Sequence, residues 1–180
     1  MSVANILTLA RIALIPFFLV SLSYDWGGSL AAPALFLAAS LTDSLDGFIA
    51  RKYNQITTFG KLIDPLADKL LICSAVLWFT REGVLPVWVA MIILARDFIV
   101  TSLRLVAIEA GKVVSAHFSG KLRTLLNTFF LMFFLLQPRF FSSWPLPTIN
   151  TASASAMAAV SAWSCADYLY KNRAVINIRV

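Results

Sequence analysis

The stretch DSLDGFIARKYNQITTFGKLIDPLADK, residues 43–69, sets four aspartates into a chain that is 59% apolar and 13% charged. Asp43 and Asp46 stand three residues apart at the end of one apolar segment, and Asp64 and Asp68 stand four apart at the start of the next. In helices both spacings put the paired side chains on one face. Two antiparallel helices joined by a short connection therefore aim all four carboxylates into one gap. An ionisable group in a membrane helix costs roughly 2.5–3.5 kcal/mol, so four clustered acids require something positive among them. Hard oxygen donors without histidine or thiolate suit Mg²⁺, Mn²⁺ or Ca²⁺, and Mg²⁺ completes its shell with water and phosphate oxygens. Metal-assisted phosphate chemistry is the natural reading.

The segments on either side decide the fold class. A mean hydropathy of +0.81 lies outside the range of ordinary soluble domains. Six segments, at 6–23, 30–51, 62–80, 85–109, 120–137 and 149–170, reach the roughly 20 residues that a bilayer crossing takes. Polar breaks separate them: YDWGGS at 24, KYNQITTFG at 52, REGVLP at 81, GKVVSAHFSG at 111 and QPRFFSSWPLPT at 137. Gly and Pro punctuate these breaks, as turns require. The expected fold is all-α, an integral membrane bundle of six transmembrane helices forming one domain over residues 1–180. No repeat stands out, and the N-terminus lacks the charged region and small-residue site of a removed leader. Cys73 and Cys165 fall inside apolar segments and read as packing residues.

Orientation follows from the cations. Arg11, then Arg51, Lys52 and Lys61, then Lys112, Lys121 and Arg123, and finally Lys171, Arg173 and Arg179 fall on one side of a six-span chain, leaving Arg81 and Arg139 on the other. Cytoplasmic loops carry the Lys/Arg excess, so both termini are expected to be cytoplasmic in a multi-pass protein of the cell (inner) membrane. The net charge of +6 is spread between apolar segments rather than along one soluble face. That pattern argues against nucleic acid and for an anionic lipid surface or a phosphorylated substrate. The same topology brings Asn5, Thr8 and Arg11, the four aspartates, Lys121 and Arg123, and Asp167 to one cytoplasmic-facing active site.

The residues around the acids fit a phosphate ligand. Gly47 and Ala50 leave a smooth strip for close approach of a nucleotide or diphosphate, and Arg51 supplies a guanidinium for phosphate oxygens. Gly60 lets the chain turn before the third helix, and Pro65 suits that helix's first turn. An interfacial network pairing the acids with Arg51, Lys52, Lys61 and Lys69 accounts for the charges, but not for both helical spacings together with the small-residue strip.

Asp43, Asp46, Gly47, Ala50, Arg51, Gly60, Asp64 and Asp68 reproduce the full spacing of a known signature, and the chain resembles the CDP-alcohol phosphotransferases. The resemblance implies a cytidine diphosphate donor, release of CMP and transfer of the donor's phosphate-bearing group to an alcohol. It implies Mg²⁺ or Mn²⁺, one or two ions, held by Asp43, Asp46, Asp64 and Asp68. It implies CDP contacts from Asp46, Gly47, Ala50, Arg51 and Gly60, Asp68 as the general base, Asn5, Thr8 and Arg11 as supporting groups, and a homodimer.

The acceptor is read from three further stretches. NILTLARI at 5, ARDFIVTSLRLVAIEAGKVVSAHFSGKLRT at 95 and DYLYKN at 167 are similar to the bacterial phosphatidylglycerophosphate synthases, which join CDP-diacylglycerol to sn-glycerol 3-phosphate. Glycerol 3-phosphate is a dianion and needs cations not consumed by the aspartates. Arg104, Lys121 and Arg123 supply three. Interfacial anchoring also accounts for Lys121 and Arg123, but less readily for Arg104, which a further apolar turn follows. The chain departs from that resemblance at Asp97, where Glu is common, at Ser102, where Gly is frequent, at Arg123, where Lys is common, and at His117, which reads as a solvated loop residue. Arg96, in the middle of the fourth segment, calls for a buried partner such as an acid from another helix. The rival acceptors are an inositol phosphate, or phosphatidylglycerol as in a cardiolipin synthase. A small cation transporter is a more distant alternative, and it calls for acids near the middle of the bilayer rather than at the ends of segments.

Overall fold

The computed structural model describes residues 3–25, 29–52, 58–109 and 118–173, without the side chains of 3–7, 25, 43–52, 58–62, 64, 65, 68, 105, 106, 108 and 109. Among the described residues there are six helices and no strand: α1 (Val3–Asp25), α2 (Ala31–Lys52), α3 (Thr58–Arg81), α4 (Val87–Glu109), α5 (Phe118–Phe140) and α6 (Leu146–Lys171). The all-α expectation holds, and each helix overlies one expected segment.

Local chemistry sets the boundaries. Ser29 Oγ accepts a hydrogen bond from the Ala31 amide at 3.1 Å and caps the start of α2. At the end of α3 the Val84 amide donates to the Phe79 carbonyl (2.9 Å) and the Gly83 amide to the Thr80 carbonyl (3.2 Å), the paired bonds of a Schellman cap. Gly83 takes φ +71° there, and a Cβ built on it meets nothing within 4 Å. Any cost of a side chain is therefore backbone strain, and Gly83→Ala is expected to lower stability by about 1–2 kcal/mol, read from thermal unfolding in detergent.

The helix ends differ from expectation by up to four residues, and two of the differences involve expected turn signals. Because α3 starts at Thr58, Gly60 falls inside its first turn rather than in the connection, and Pro65 lies beyond that turn. The break placed at Gln137 begins four residues later, at Phe141, since α5 carries Pro138 within its last turn and ends at Phe140.

The helices group into two compact units. The first comprises residues 1–78 and 131–146, and α1 packs on α2 within it. Phe18 and Phe36 are 1% and 0% exposed, and their rings meet at 5.8 Å between centroids. The second comprises residues 79–130 and 147–180, with Val89 and Ile93 of α4 and Met157 and Ala158 of α6 in its interior. Along α6 the buried positions Ala154, Met157, Ala158, Ser161, Ser164 and Tyr168 recur at helical spacing, and most are small, which lets a neighbouring backbone come close.

Among the described residues no helix holds an 18-residue stretch apolar and charge-poor enough to cross a membrane. In α4, Arg96, Asp97 and Arg104 interrupt an otherwise apolar helix, while α6 is built largely of alanine, serine and threonine. The surface nevertheless carries large apolar side chains: Phe17, Leu41, Leu77, Met91, Leu125 and Phe129 are each more than half exposed.

Candidate active site

The helix ends carry the signature. Asp43 and Asp46 occupy the last three turns of α2, and Asp64 and Asp68 the second and third turns of α3. Both pairs lie in continuous helix, so their spacings of three and four residues place each pair of backbone positions along one side of its helix. The carboxylates of Asp43, Asp46, Asp64 and Asp68 lie outside the described residues, as do the side chains of Asn5, Ala50 and Arg51 and the surroundings of Gly47 and Gly60. His117 lies outside them as well. Thr8 and Arg11 are described, and both are buried in α1, at 1% and 0% exposure.

The second unit shows how buried charge is compensated. Asp97 of α4 is 6% exposed and accepts a hydrogen bond from Arg123 Nη2 of α5 at 2.7 Å. Its other oxygen accepts from Arg96 Nη1 at 3.2 Å. Arg96 turns its Nη2 to Ser164 Oγ of α6 at 2.9 Å. A Cβ built on Gly120 of α5 would touch that same Nη2 at 3.6 Å, an ordinary contact, so the first turn of α5 passes directly beside the guanidinium. The carboxylate joins α4 to α5, and the Arg96 guanidinium extends the link to α6.

Arg96 thus has the buried partner expected of it, with one correction. The acid is Asp97, its neighbour on α4, and the other helix contributes a hydroxyl instead. A second link joins α5 to α6, where Ser119 Oγ donates to Asp167 Oδ2 at 2.5 Å and Lys171 Nζ lies 2.6 Å from Asp167 Oδ1.

The three cations assigned to the acceptor fall into different settings. Arg104 near the end of α4 and Lys121 in the first turn of α5 are exposed, and neither carries an ion pair among the described residues. Arg123 is 6% exposed and tied to Asp97. Sequence reasoning missed Ser164 and Ser119 and registered Asp97 only as a departure from a resemblance. The adjacency of Arg96 and Asp97 inside an apolar helix marked a polar spot but did not name its partners.

Comparison with known proteins bears on the chemistry. The family described as CDP-alcohol phosphatidyltransferase matches residues 1–165. The chain is 39% identical to the CDP-diacylglycerol--glycerol-3-phosphate 3-phosphatidyltransferase of Bacillus subtilis (strain 168) over 183 positions, covering 93% of each chain. It is 34% identical over 180 positions to the protein of the same name from Shigella flexneri serotype 5b, covering 96% of each. Against the Rickettsia felis protein of that name the identity is 40% over 137 positions, 73% of this chain and 74% of the relative. The match takes in the whole signature and extends through α4 and α5 into α6, and on that ground the chain belongs to the CDP-alcohol phosphatidyltransferase family.

Proposed function

We propose that this chain transfers the phosphatidyl group of CDP-diacylglycerol to sn-glycerol 3-phosphate, giving phosphatidylglycerol phosphate and CMP. The observation that carries the reading is the relative of that name, alike at 39% identity over 93% of both chains. The complete signature at residues 43–68 supports the CDP chemistry, and the cations Arg104, Lys121 and Arg123 support a phosphorylated acceptor.

The donor set fits a divalent metal: four carboxylates on two continuous helices, with hard oxygens alone. Asp43, Asp46, Asp64 and Asp68 would hold Mg²⁺ or Mn²⁺, which when bound supplies positive charge against the diphosphate. Asp68 takes the proton of the acceptor hydroxyl as its oxygen bonds to the β-phosphorus and the bond from that phosphorus to CMP breaks. Arg51 with Gly47, Ala50 and Gly60 holds the CDP portion, and Arg104, Lys121 and Arg123 orient the phosphate of the acceptor. Thr8 and Arg11, buried in α1, with Asn5 before them, serve as supporting groups.

The setting we propose is a membrane-embedded bundle of six spans over residues 1–180, with both termini and the active site on the cytoplasmic side and the homodimeric state implied by the resemblance. Helices of 22 to 26 residues measure about 33–39 Å, enough for a hydrocarbon core of about 30 Å. The half-exposed Phe, Leu and Met side chains suit lipid better than water.

The test is CMP release by the purified protein in detergent with CDP-diacylglycerol and Mg²⁺ or Mn²⁺, supplying one acceptor at a time. Release is expected with glycerol 3-phosphate and only at background with inositol 1-phosphate, serine or phosphatidylglycerol. Preference for another acceptor would leave the CDP chemistry standing and overturn the assignment of the three cations. No release with any acceptor would overturn the transferase reading.

A further inference from the structure

The buried junction of α4, α5 and α6 holds more than packing requires. Arginine has five N–H donors in a rigid fork. Arg123 gives Nη2 to Asp97, while its Nε is buried with no hydrogen-bond partner among the described residues. Arg96 Nε is in the same condition. Two guanidiniums against one carboxylate leave an excess positive charge among these described side chains. One turn further along α5 and α6, Asn127 and Ser161 are 1% and 0% exposed, and their side-chain polar atoms have no partner among the described residues. Excess charge together with unused buried donors is the composition of a seat for an anion. The group that gives this seat its geometry is itself an anion, Asp97.

We propose that Asp97 is a positioning residue of the acceptor-phosphate site: one carboxylate grips Arg123 and Arg96, and so fixes how Arg123 presents its remaining N–H groups to the acceptor's phosphate. Arg96, anchored through its other terminal nitrogen on Ser164, holds the second oxygen of the carboxylate. The inference rests on the reading of Arg123 as an acceptor-phosphate residue. Holding a flexible cation in place before the substrate arrives reduces the ordering that binding must offset. The sign of the effect is distinctive. On charge alone, neutralising Asp97 would strengthen the attraction for a dianion, whereas loss of positioning weakens binding.

The experiment measures steady-state CMP release by the full chain in detergent, varying glycerol 3-phosphate and CDP-diacylglycerol separately. Asp97→Asn is expected to raise the KM for glycerol 3-phosphate about tenfold or more, the scale of a misplaced binding group, and to leave the donor KM within about twofold. An unchanged or lowered acceptor KM, in a background where Arg123→Gln raises it, overturns the proposal and spares the reading of Arg123. If Arg123→Gln itself leaves the acceptor KM unchanged, that reading fails and the proposal falls with it.

Should Asp97→Asn not fold, the length-exchanged pair decides. Asp97→Glu pushes the guanidinium away and raises the acceptor KM, and adding Arg123→Lys shortens the partner and restores it. A double variant no better than Asp97→Glu alone overturns the proposal. A purely structural role would lower the melting temperature and the active fraction while leaving both KM values where they were, which overturns it equally.

Discussion

Asp68→Ala is expected to abolish CMP release, by about 10³-fold or more, while the protein still inserts, purifies and melts as the parent does. The loss of a positioned base alone costs roughly 10² to 10⁴ in rate, and Asp68 is also proposed as a metal ligand. Unfolding is not the expected cause of the loss. Asp68 lies in the third turn of α3, which continues to Arg81, and alanine is the residue that a helix interior accepts best. Removal of a carboxylate from an acidic cluster also relieves repulsion wherever no metal is bound. The substitution therefore separates chemistry from folding. The check is CMP release at saturating donor and acceptor, beside a melting curve of the same preparation. Asp64→Ala is expected to behave alike, since the two carboxylates share one proposed role. A variant with intact folding and near-parental CMP release would remove Asp68 from the mechanism and the metal assignment with it.

The helical order was legible because apolar runs and polar breaks alternate strongly along the chain. The six expected segments match the six helices among the described residues, with ends differing by a few residues. The largest difference, at the start of α3, has a physical origin. Gly60 and Pro65 are turn signals when read alone, yet a helix begun at Thr58 can carry a glycine in its first turn at a cost of about 1 kcal/mol. The long apolar run that follows outweighs that cost. The signature aspartates were legible because their spacing is fixed over eight positions.

The Asp97 junction was not legible, because residues i and i+1 do not face one another on a helix and an acid on another helix looked the better partner for Arg96. The long guanidinium bends back to its neighbour, and Arg123 arrives from α5 to share the same carboxylate. Two departures from the family resemblance, a short acid at 97 and a long base at 123, thus meet at 2.7 Å as one pair. Ser164 gave no signal because serines on α6 look alike in sequence. Ser155 bonds back to the Thr151 carbonyl of its own helix, whereas Ser164 reaches across to Arg96.

Asp97→Leu is expected to cost about 3–5 kcal/mol of stability, the range for breaking a buried ion pair from one side. In a chain of this size that lowers the melting temperature in detergent by roughly 10 °C or more. The cost arises less from the lost hydrogen bonds than from what stays behind. Arg123, 6% exposed, and Arg96, held between Asp97 and Ser164, would face each other with no anion between them among the described residues. The triple replacement Arg96→Met, Asp97→Leu, Arg123→Met removes both stranded charges and is expected to recover most of that loss, because well-packed apolar groups match or exceed a buried ionic cluster in stability. If the triple variant melts near the parent and Asp97→Leu melts far below it, the junction contributes little net stability that apolar packing could not supply. Its retention would then be explained by use of the charges, and the triple variant is expected to retain its fold and lose glycerol 3-phosphate-dependent CMP release. A triple variant as unstable as Asp97→Leu would instead make the junction a structural keystone of α4, α5 and α6, joined by polar bonds that apolar packing cannot replace.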